Sequence, residues 1–324
     1  MRLLAAVAVV LLLVLPATAQ TGDGEAALLV PNQGQDLPPA GLPVATIYSH
    51  QQVLHPWGGN NIHAEVTPPD AEWDRVYVTY RSIPVEGDGD PWDRLFHVFI
   101  EGTEVLRGTT PRGDFWVTDD ITEYASLMQD PFTVTSKVDV WQGTGFYVDI
   151  RFDFFDDVAP VELEHTYDSV HSAFTAAGLR GTPRTTTVDF GSAAPSGGIL
   201  EFFTSGHEQA GEFWWMEFQT DFPRFDIYVD GEHAGHVIAM PYIYALLGFC
   251  CDTTTQLINQ AMWTAPWAAE EASGAHLGVG EIPSYRAAIP DHILPLLTGD
   301  TEVTMVKTNH GGWWPSSVNF LLDA

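Results

Sequence analysis

The chain has 324 residues and a formal net charge of −30, from 13 Lys and Arg against 43 Asp and Glu. Hydrophobic residues make up 45% and aromatic residues 12%, which excludes a disordered or collagen-like chain. The acidic excess argues against nucleic acid or an anionic membrane as a partner, because both bind basic surfaces. At roughly 100–200 residues per domain, the length favours two domains. The charge also suggests function in acidic or salty surroundings, where protonation or salt weakens self-repulsion.

The N-terminus has the pattern of an export signal. Arg2 gives a positive start, residues 3–15 are an uninterrupted apolar run, and Ala17-Thr18-Ala19 is a small-residue cleavage pattern. The apolar run is shorter than the roughly 20 residues that span a bilayer. We therefore expect residues 1–19 to be removed. The mature protein is expected to be secreted, either extracellular or periplasmic, and not held in a membrane.

The remaining sequence predicts β structure. Residues 20–45 are rich in Gly, Pro and Gln and predict a flexible lead-in. Beyond them, short segments with alternating apolar residues, such as 132–140 and 146–154, predict strands, and Asp230-Gly231 predicts a hairpin turn. Short helices are expected only near 167–177 and 268–273. The pattern predicts an all-β chain of two tandem antiparallel β-sandwich domains, at 46–157 and 158–324.

Several kinds of site are excluded or weakly indicated. The chain lacks the glycine-rich dinucleotide and phosphate motifs, His-Glu-x-x-His, Cys-x-x-Cys and Gly-x-Ser-x-Gly. Glu232, His233 and His236 can be drawn as a metal site, but they follow a hairpin turn, where exposed His and Glu are ordinary, and we expect no metal. Cys250 and Cys251 are either small residues beside an apolar segment or a vicinal disulfide.

Carboxylates beside tryptophans are the most informative local pattern. They occur in Trp92-Asp93-Arg94, in Asp139-Val140-Trp141 and in residues 211–215, which contain Glu212, Trp214 and Trp215. An indole face stacks on the apolar face of a sugar ring, while carboxylates accept hydrogen bonds from hydroxyls or perform acid–base chemistry. This pattern favours a carbohydrate site. Chance adjacency remains the alternative in a chain with 11 Trp and 43 acidic residues.

A longer succession of motifs resembles a known family. The segments are residues 92–107, 109–111, 115–124, 144–150, 205–207, 212–214, 229–231, 241–244, 282–285 and 294–297. In this order they resemble the peptide:N-glycanases, secreted amidases of types A and F that remove N-glycans from asparagine. The resemblance is greater to type A. It implies two jelly-roll-like domains side by side, with the active site in the cleft between them.

The resemblance also implies roles for the carboxylates. The family's principal catalytic Asp corresponds to Asp93, within Trp-Asp-Arg. Its essential Glu corresponds to Glu212, with Glu217 as the alternative, and a third, supporting carboxylate corresponds to Asp139. Asp74 also lies in a Trp-Asp-Arg sequence but lacks the continuation that follows Asp93.

Substrate contacts follow from the same resemblance. The residues expected to bind substrate are Trp92, Arg94, Trp141, Trp214, Trp215 and Trp263. Type A has an Arg directly after the last of these, where this chain has Thr264, so Arg94 or Arg286 is a candidate for the missing cation.

The implied function is hydrolysis of the amide bond between Asn and the innermost N-acetylglucosamine. The partners would be N-linked glycopeptides and glycoproteins, acted on by a monomer without a metal or organic cofactor. A glycosidase that cleaves between sugars and a non-catalytic sugar-binding β-sandwich are the alternatives, because both would use the same tryptophans and carboxylates.

Overall fold

The computed structural model of the protein describes residues 26–31, 42–54, 61–84, 94–110, 115–138, 145–156, 166–179, 183–204, 224–238, 284–308 and 314–324. Several predicted features fall outside these residues: the export signal at 1–19, the helix near 268–273, Cys250, Cys251 and the boundary at 157/158.

The N-terminal half forms one β-sandwich. Its strands are β3 (Ala45–Leu54), β4 (Asn61–Val66), β5 (Arg75–Pro84), β6 (Arg94–Ile100), β7 (Thr103–Thr110), β8 (Phe115–Asp120), β9 (Phe132–Val138) and β10 (Phe146–Phe155). They make two antiparallel sheets with the strand orders β3-β10-β5-β8 and β4-β9-β6-β7. A 3₁₀ helix, Thr122–Met128, follows β8 and is mostly buried.

The C-terminal half, joined by two short strands from the N-terminus of the chain, forms a second β-sandwich. Its strands are β1 (Ala27–Leu28), β2 (Val30–Pro31), β11 (Ser169–Leu179), β12 (Arg184–Asp189), β13 (Gly197–Thr204), β14 (Arg224–Val229), β15 (Glu232–Ile238), β16 (Tyr285–Ala288), β17 (Asp300–Thr308) and β18 (Trp314–Asp323). Its sheets have the orders β1-β15-β14-β17-β12 and β11-β18-β13-β16-β2. Among the described residues, the pair β1–β15 is parallel and the other pairs are antiparallel. A short 3₁₀ helix, Leu294–Leu296, precedes β17.

Side-chain alternation explains the strands and confirms the all-β tandem sandwich. In β9, Phe132, Val134, Ser136 and Val138 are buried, as the alternation predicts. In β10 the predicted inward residues 146, 148, 150, 152 and 154 are all buried. Asp230 and Gly231 have φ values of +46° and +82° and connect β14 to β15, which confirms the hairpin turn.

The helix predicted near residues 167–177 is wrong. This segment forms β11, whose residues pair with β18 from Ser169 to Leu179 with two register shifts. Its alanines favour a helix, but such local propensity is a weak preference, and the backbone pairing of β11 with β18 at the edge of the sheet outweighs it.

The predicted flexible lead-in also differs from the structure. Within residues 20–45, β1 pairs with β15 and β2 pairs with β16, so this segment crosses both sheets of the C-terminal sandwich. Leu29 lies between the two strands with 2% of its surface exposed. It packs against Gly235, where a Cβ atom would come within 2.7 Å of the Leu29 side chain. Burial of Ala27 and Leu29 outweighs the loop-forming composition around them.

None of the helices in the described part of the chain is both long and apolar enough to cross a membrane.

Replacing Leu29 by Ala tests whether the N-terminal segment stabilises the C-terminal sandwich. We expect Leu29→Ala to lower the free energy of unfolding by about 2–5 kcal/mol, the usual range for a buried Leu that leaves a cavity. Leu42→Ala is the matched control, because Leu42 is 94% exposed. Denaturant unfolding of both variants measures the difference. Equal stabilities would mean that the segment does not stabilise the fold.

Candidate active site

Two of the predicted carboxylates adjoin neighbouring strand ends in the N-terminal sandwich. Asp93 immediately precedes Arg94, the first residue of β6, and Asp139 immediately follows Val138, the last residue of β9. The two strands are antiparallel neighbours, with Phe96 paired to Val138. The chain segments that carry both carboxylates are therefore attached at the same end of one sheet.

The predicted glutamate adjoins a strand end in the C-terminal sandwich. Residues 205–223, which include Glu212 and Glu217, connect Thr204 at the end of β13 to Arg224 at the start of β14. Thr204 is paired with Ser316, and their hydroxyl oxygens are 2.9 Å apart. The anchor of this segment is thus a buried pair of strands.

Contacts between β7 and β18 align the two halves. Arg107 donates from Nη1 to the carbonyl oxygen of Pro315 over 2.7 Å, and its Cζ lies 5.8 Å from the centre of the Phe203 ring. Arg107 contacts residues near the start of β18 and the end of β13, whereas Glu104, three residues earlier in β7, contacts Ser317 farther along β18. The end of β7, Thr110, pairs with Arg94 at the start of β6. The strand ends that adjoin the predicted carboxylates in the two halves therefore meet at the same end of the interface.

The other Trp-Asp-Arg sequence lies at the opposite end of the N-terminal sandwich. Asp74 is exposed and donates its backbone N–H to the carbonyl of Phe155 over 2.9 Å. Three residues earlier in β10, Phe152 packs edge-on against Phe132, the first residue of β9. Because β9 runs from Phe132 to Val138, Asp74 is remote from the strand ends that adjoin Asp93 and Asp139.

A buried carboxylate lies in the middle of the interface between the halves. Glu104 accepts hydrogen bonds from Arg107 at Oε1 (2.7 Å) and Oε2 (2.8 Å), and its Oε1 is 2.6 Å from Nδ1 of His97. Ser317, from the C-terminal sandwich, also donates to Oε2. Burial acts to raise the pKa of Glu104, but the charges of Arg107 and His97 outweigh it and lower that pKa to about 2.

A second buried cluster crosses the same interface. Arg286 donates from Nη1 to Glu123 (2.7 Å), in the N-terminal half, and from Nε to Glu201 (2.8 Å), in the C-terminal half. Glu201 also accepts hydrogen bonds from the hydroxyls of Tyr124 (2.5 Å) and Ser284 (2.8 Å). The Glu201 side chain is fully buried, and that of Arg286 is 20% exposed.

Asn319 joins the two clusters. Its Nδ2 donates to the backbone carbonyl of Glu104 over 2.8 Å and to Oε2 of Glu201 over 2.9 Å. We call the whole set the interdomain network: His97, Glu104, Arg107, Glu123, Tyr124, Glu201, Ser284, Arg286, Ser317 and Asn319. Because a buried charge is stable only with its partners in place, the network holds the two sandwiches in one relative position.

The network gives Arg286 a structural role. The sequence made Arg286 a candidate for the missing substrate cation, but its guanidinium is engaged by Glu123 and Glu201. Arg286 therefore acts as an interdomain contact. Arg94, the other candidate, begins β6, where its backbone pairs with Thr110.

The other predicted site residues lie outside the described residues. They are Trp92, Asp93, Asp139, Trp141, Glu212, Trp214, Trp215, Glu217 and Trp263. The structure locates the strand ends that carry most of them, and their roles stay predictions.

The interdomain network itself was missed by pattern reasoning. Glu104 and Arg107 fall within the 92–107 motif, and Glu123 and Tyr124 within the 115–124 motif, yet neither motif indicates burial. In β13, Glu201 alternates with Leu200 and Phe202 of the C-terminal core, so its side chain lies on the opposite face of the strand. The available signal was a charged residue on this outward face. Without the partner strand, this signal cannot be distinguished from an exposed edge.

The candidate metal ligands lie on the outer sheet of the C-terminal sandwich. Nε2 of His233 is 2.9 Å from a carboxylate oxygen of Asp226, and its ring stacks on Tyr228 with centroids 5.0 Å apart. Within the described residues, no group of three or more His, Cys, Asp or Glu side chains is placed to hold a metal ion.

A family model described as peptide N-acetyl-beta-D-glucosaminyl asparaginase amidase A matches residues 47–246, more than half of the chain. The chain belongs to this family. The resemblance drawn from the motifs is thereby confirmed. The matched range includes Asp93, Asp139 and Glu212, and it ends before Trp263.

Two similar solved structures have the same fold. PNGF-II matches with a TM-score of 0.55 and 13% identity, covering 91% of this chain, which spans 65% of the length of PNGF-II. PNGase F, described as a glycosylasparaginase from Flavobacterium meningosepticum, matches with a TM-score of 0.51 and 13% identity over 86% of this chain and 96% of that one. Among curated proteins, none matches this chain.

Replacing Glu104 tests the energetic weight of the network. We expect Glu104→Gln to lower the free energy of unfolding near neutral pH by about 3–5 kcal/mol, because the buried charge of Arg107 loses the carboxylate that accepts two of its hydrogen bonds. The lowered pKa means that ionised Glu104 stabilises the fold above its usual pKa of 4.5 and loses this effect as the pH falls towards about 2.

The variant should therefore lose less stability than the wild type over that acid range. Glu302→Gln is the control, since Glu302 is exposed. Urea unfolding at a series of pH values measures both effects. A wild-type acid profile in Glu104→Gln would contradict the assignment.

Proposed function

We propose that this protein is a secreted peptide:N-glycanase. It would hydrolyse the amide that joins Asn to the innermost N-acetylglucosamine of N-linked glycopeptides and glycoproteins, releasing the intact glycan. The observation that carries this proposal is the family match across residues 47–246, which contain the three predicted catalytic carboxylates. The convergence of their neighbouring strand ends at one end of the interface supports it.

The chemistry needs a base for water and an acid for the departing nitrogen. An amide is a weak electrophile with a poor leaving group, so both proton transfers must be assisted. We assign the principal acid–base function to Asp93. Water adds to the Asn side-chain carbonyl, the carbon–nitrogen bond breaks, and the nitrogen leaves with a proton as a 1-amino-glycan. The peptide then carries Asp, and the 1-amino-glycan later loses ammonia in water.

The other two carboxylates would act on the sugar and on Asp93. Glu212 would position the innermost sugar, and its negative charge would raise the pKa of a nearby Asp93 by like-charge coupling. Asp139 would support this pair from the end of β9. The attachment of Asp93 and Asp139 to neighbouring strands, and of Glu212 to the other sandwich, fits a site that closes on substrate from two sides.

Sugar recognition is assigned to the tryptophans. Trp92, Trp141 and Trp214 would stack on the core sugars and exclude water, and Trp215 and Trp263 would extend this surface. Arg94, next to Asp93 in the chain, is the proposed cation for the developing oxyanion.

Secretion is part of the proposal and rests on the export signal at residues 1–19. N-terminal sequencing of the protein exported by its own host should begin at Gln20. We also expect a monomer, which light scattering of the mature protein measures.

Replacing Asp93 tests the reaction directly. The mature protein is incubated with an N-glycopeptide and the peptide is weighed by mass spectrometry. We expect Asp in place of Asn with the whole glycan released, and a loss of about 10²–10⁴-fold in rate for Asp93→Asn. Asp74→Asn is the matched control, because it changes the same motif at the other end of the sandwich and should keep full activity.

Other products would identify other functions. A peptide that keeps one N-acetylglucosamine on Asn would show a glycosidase. A peptide that is bound but unchanged would show a sugar-binding protein.

The choice between Glu212 and Glu217 is tested by a pair of variants. We expect Glu212→Gln to reduce kcat/KM by at least about 100-fold and Glu217→Gln to change it little, because only the first would contact the innermost sugar. Steady-state kinetics on one glycopeptide measures both. The reverse order of effects would transfer the role to Glu217.

A further inference from the structure

The second cluster of the interdomain network is not electrically balanced. Glu123 and Glu201 are both buried, and among the described residues the guanidinium of Arg286 contacts both of them. Two ionised carboxylates and one cation would leave a net negative charge away from water. Such a charge is costly, and proteins usually remove it by keeping a proton.

The groups around Glu123 increase this imbalance. Those that face it from the packed elements are Arg286 of β16, Glu201 of β13, Asp120 at the end of β8, Tyr124 of its own 3₁₀ helix, and Tyr167 before β11. Asp120 adds a further negative charge. Nη1 of Arg75 offsets it from a distance of 3.8 Å, longer than the contacts that Arg286 makes with Glu123 and Glu201. The hydroxyl of Tyr124 already donates a hydrogen bond to Glu201.

The first cluster differs in its charge. There Glu104 is matched by Arg107 and also contacts His97, so its negative charge is fully compensated. Asn319 contacts both clusters, but its amide is uncharged and leaves the charge of each cluster unchanged.

We infer that Glu123, Arg286 and Glu201 form a clamp between the two sandwiches that is closed while Glu123 holds a proton and weakens when that proton is lost. With one proton, the pair and Arg286 are neutral overall. Without it, the two carboxylates repel each other across the interface.

The pKa direction agrees with this geometry. Burial raises the pKa of Glu123, and Glu201 and Asp120 add to this effect against the opposing charge of Arg286. A raised carboxyl pKa means that the stabilisation is complete below the usual value of 4.5 and is lost as the pH rises through the folded-state pKa. Because Glu104 stays ionised down to about 2, the first cluster remains intact while the clamp is protonated.

The clamp has a consequence for catalysis that rests on the proposed function. Glu201 lies three residues before Thr204, whose strand end leads to Glu212, while Glu123 belongs to the half that carries Asp93. Glu123 and Arg286 would then be positioning residues, which set the separation of the proposed catalytic carboxylates without touching substrate. Loosening the clamp would lower kcat more than it changes KM.

Glu123→Gln imitates the protonated side chain permanently and tests the clamp without substrate. The full mature chain is melted from roughly pH 5 to roughly pH 8, where exposed carboxylates are already ionised. We expect the fall in Tm over this range to shrink by about half in Glu123→Gln. Glu302→Gln removes the same charge from an exposed position and should follow the wild type.

Infrared difference spectra provide a second measurement that does not depend on stability. Near pH 6, the wild type and Glu302→Gln should show the C=O band of a buried carboxylic acid, and Glu123→Gln should lack it. A wild-type pH dependence of Tm in Glu123→Gln, or no loss of the band, would overturn the inference. A clamp that behaves as expected in a protein without amidase activity would instead refute the proposed function alone.

Discussion

The arrangement of this protein depends on carboxyl side chains that are buried between its two β-sandwiches. Glu104 and Glu201 are fully buried and accept hydrogen bonds from both halves of the chain. An apolar interface would tolerate sliding, because hydrophobic contact is not directional. A carboxylate with several fixed donors does not, because any displacement leaves a buried charge without its partners. The halves therefore meet in one register.

That register determines what the strand ends can do. The network occupies the middle of the interface, and the segments that carry the predicted carboxylates leave the strands at one end of it. Loops on a rigid scaffold are where catalytic residues are usually placed. These strand ends belong to both sandwiches, so their relative placement depends on a contact that no single sandwich contains. Asp93 and Asp74 lie in similar motifs. The strand end that adjoins Asp93 and the residue Asp74 are nevertheless at opposite ends of the N-terminal sandwich.

The N-terminal segment shows another dependence between distant parts of the chain. Residues 27–31 complete both sheets of the sandwich formed by the second half, and Leu29 fills the space that Gly235 leaves open. In the sequence, the strands of the N-terminal sandwich therefore lie between two segments that both belong to the C-terminal sandwich. Similarity to PNGF-II and PNGase F at 13% identity shows that this fold tolerates extensive replacement of its residues.

The sequence by itself determined the class of fold and the family. Alternation in β9 and β10 and the Asp230-Gly231 turn are local patterns, and each needs only neighbouring residues to be recognised. The ordered motifs were sufficient to identify the family, which the match over residues 47–246 confirmed. Local sequence preference gave the wrong secondary structure where pairing with a distant strand determines it. Residues 169–179 were expected to be helical and form β11, and residues 27–31 were expected to be flexible and form β1 and β2.

Only the tertiary structure decided how charged residues are used. Arg286 is 163 residues from Glu123 and 85 from Glu201 in the chain, and nothing in the local sequence indicates that it contacts both. Whether a charged side chain is a substrate ligand or an interdomain contact depends on which strand faces it. That information is created when sheets pack, because burial, charge compensation and pKa are properties of the assembled neighbourhood and not of the residue type.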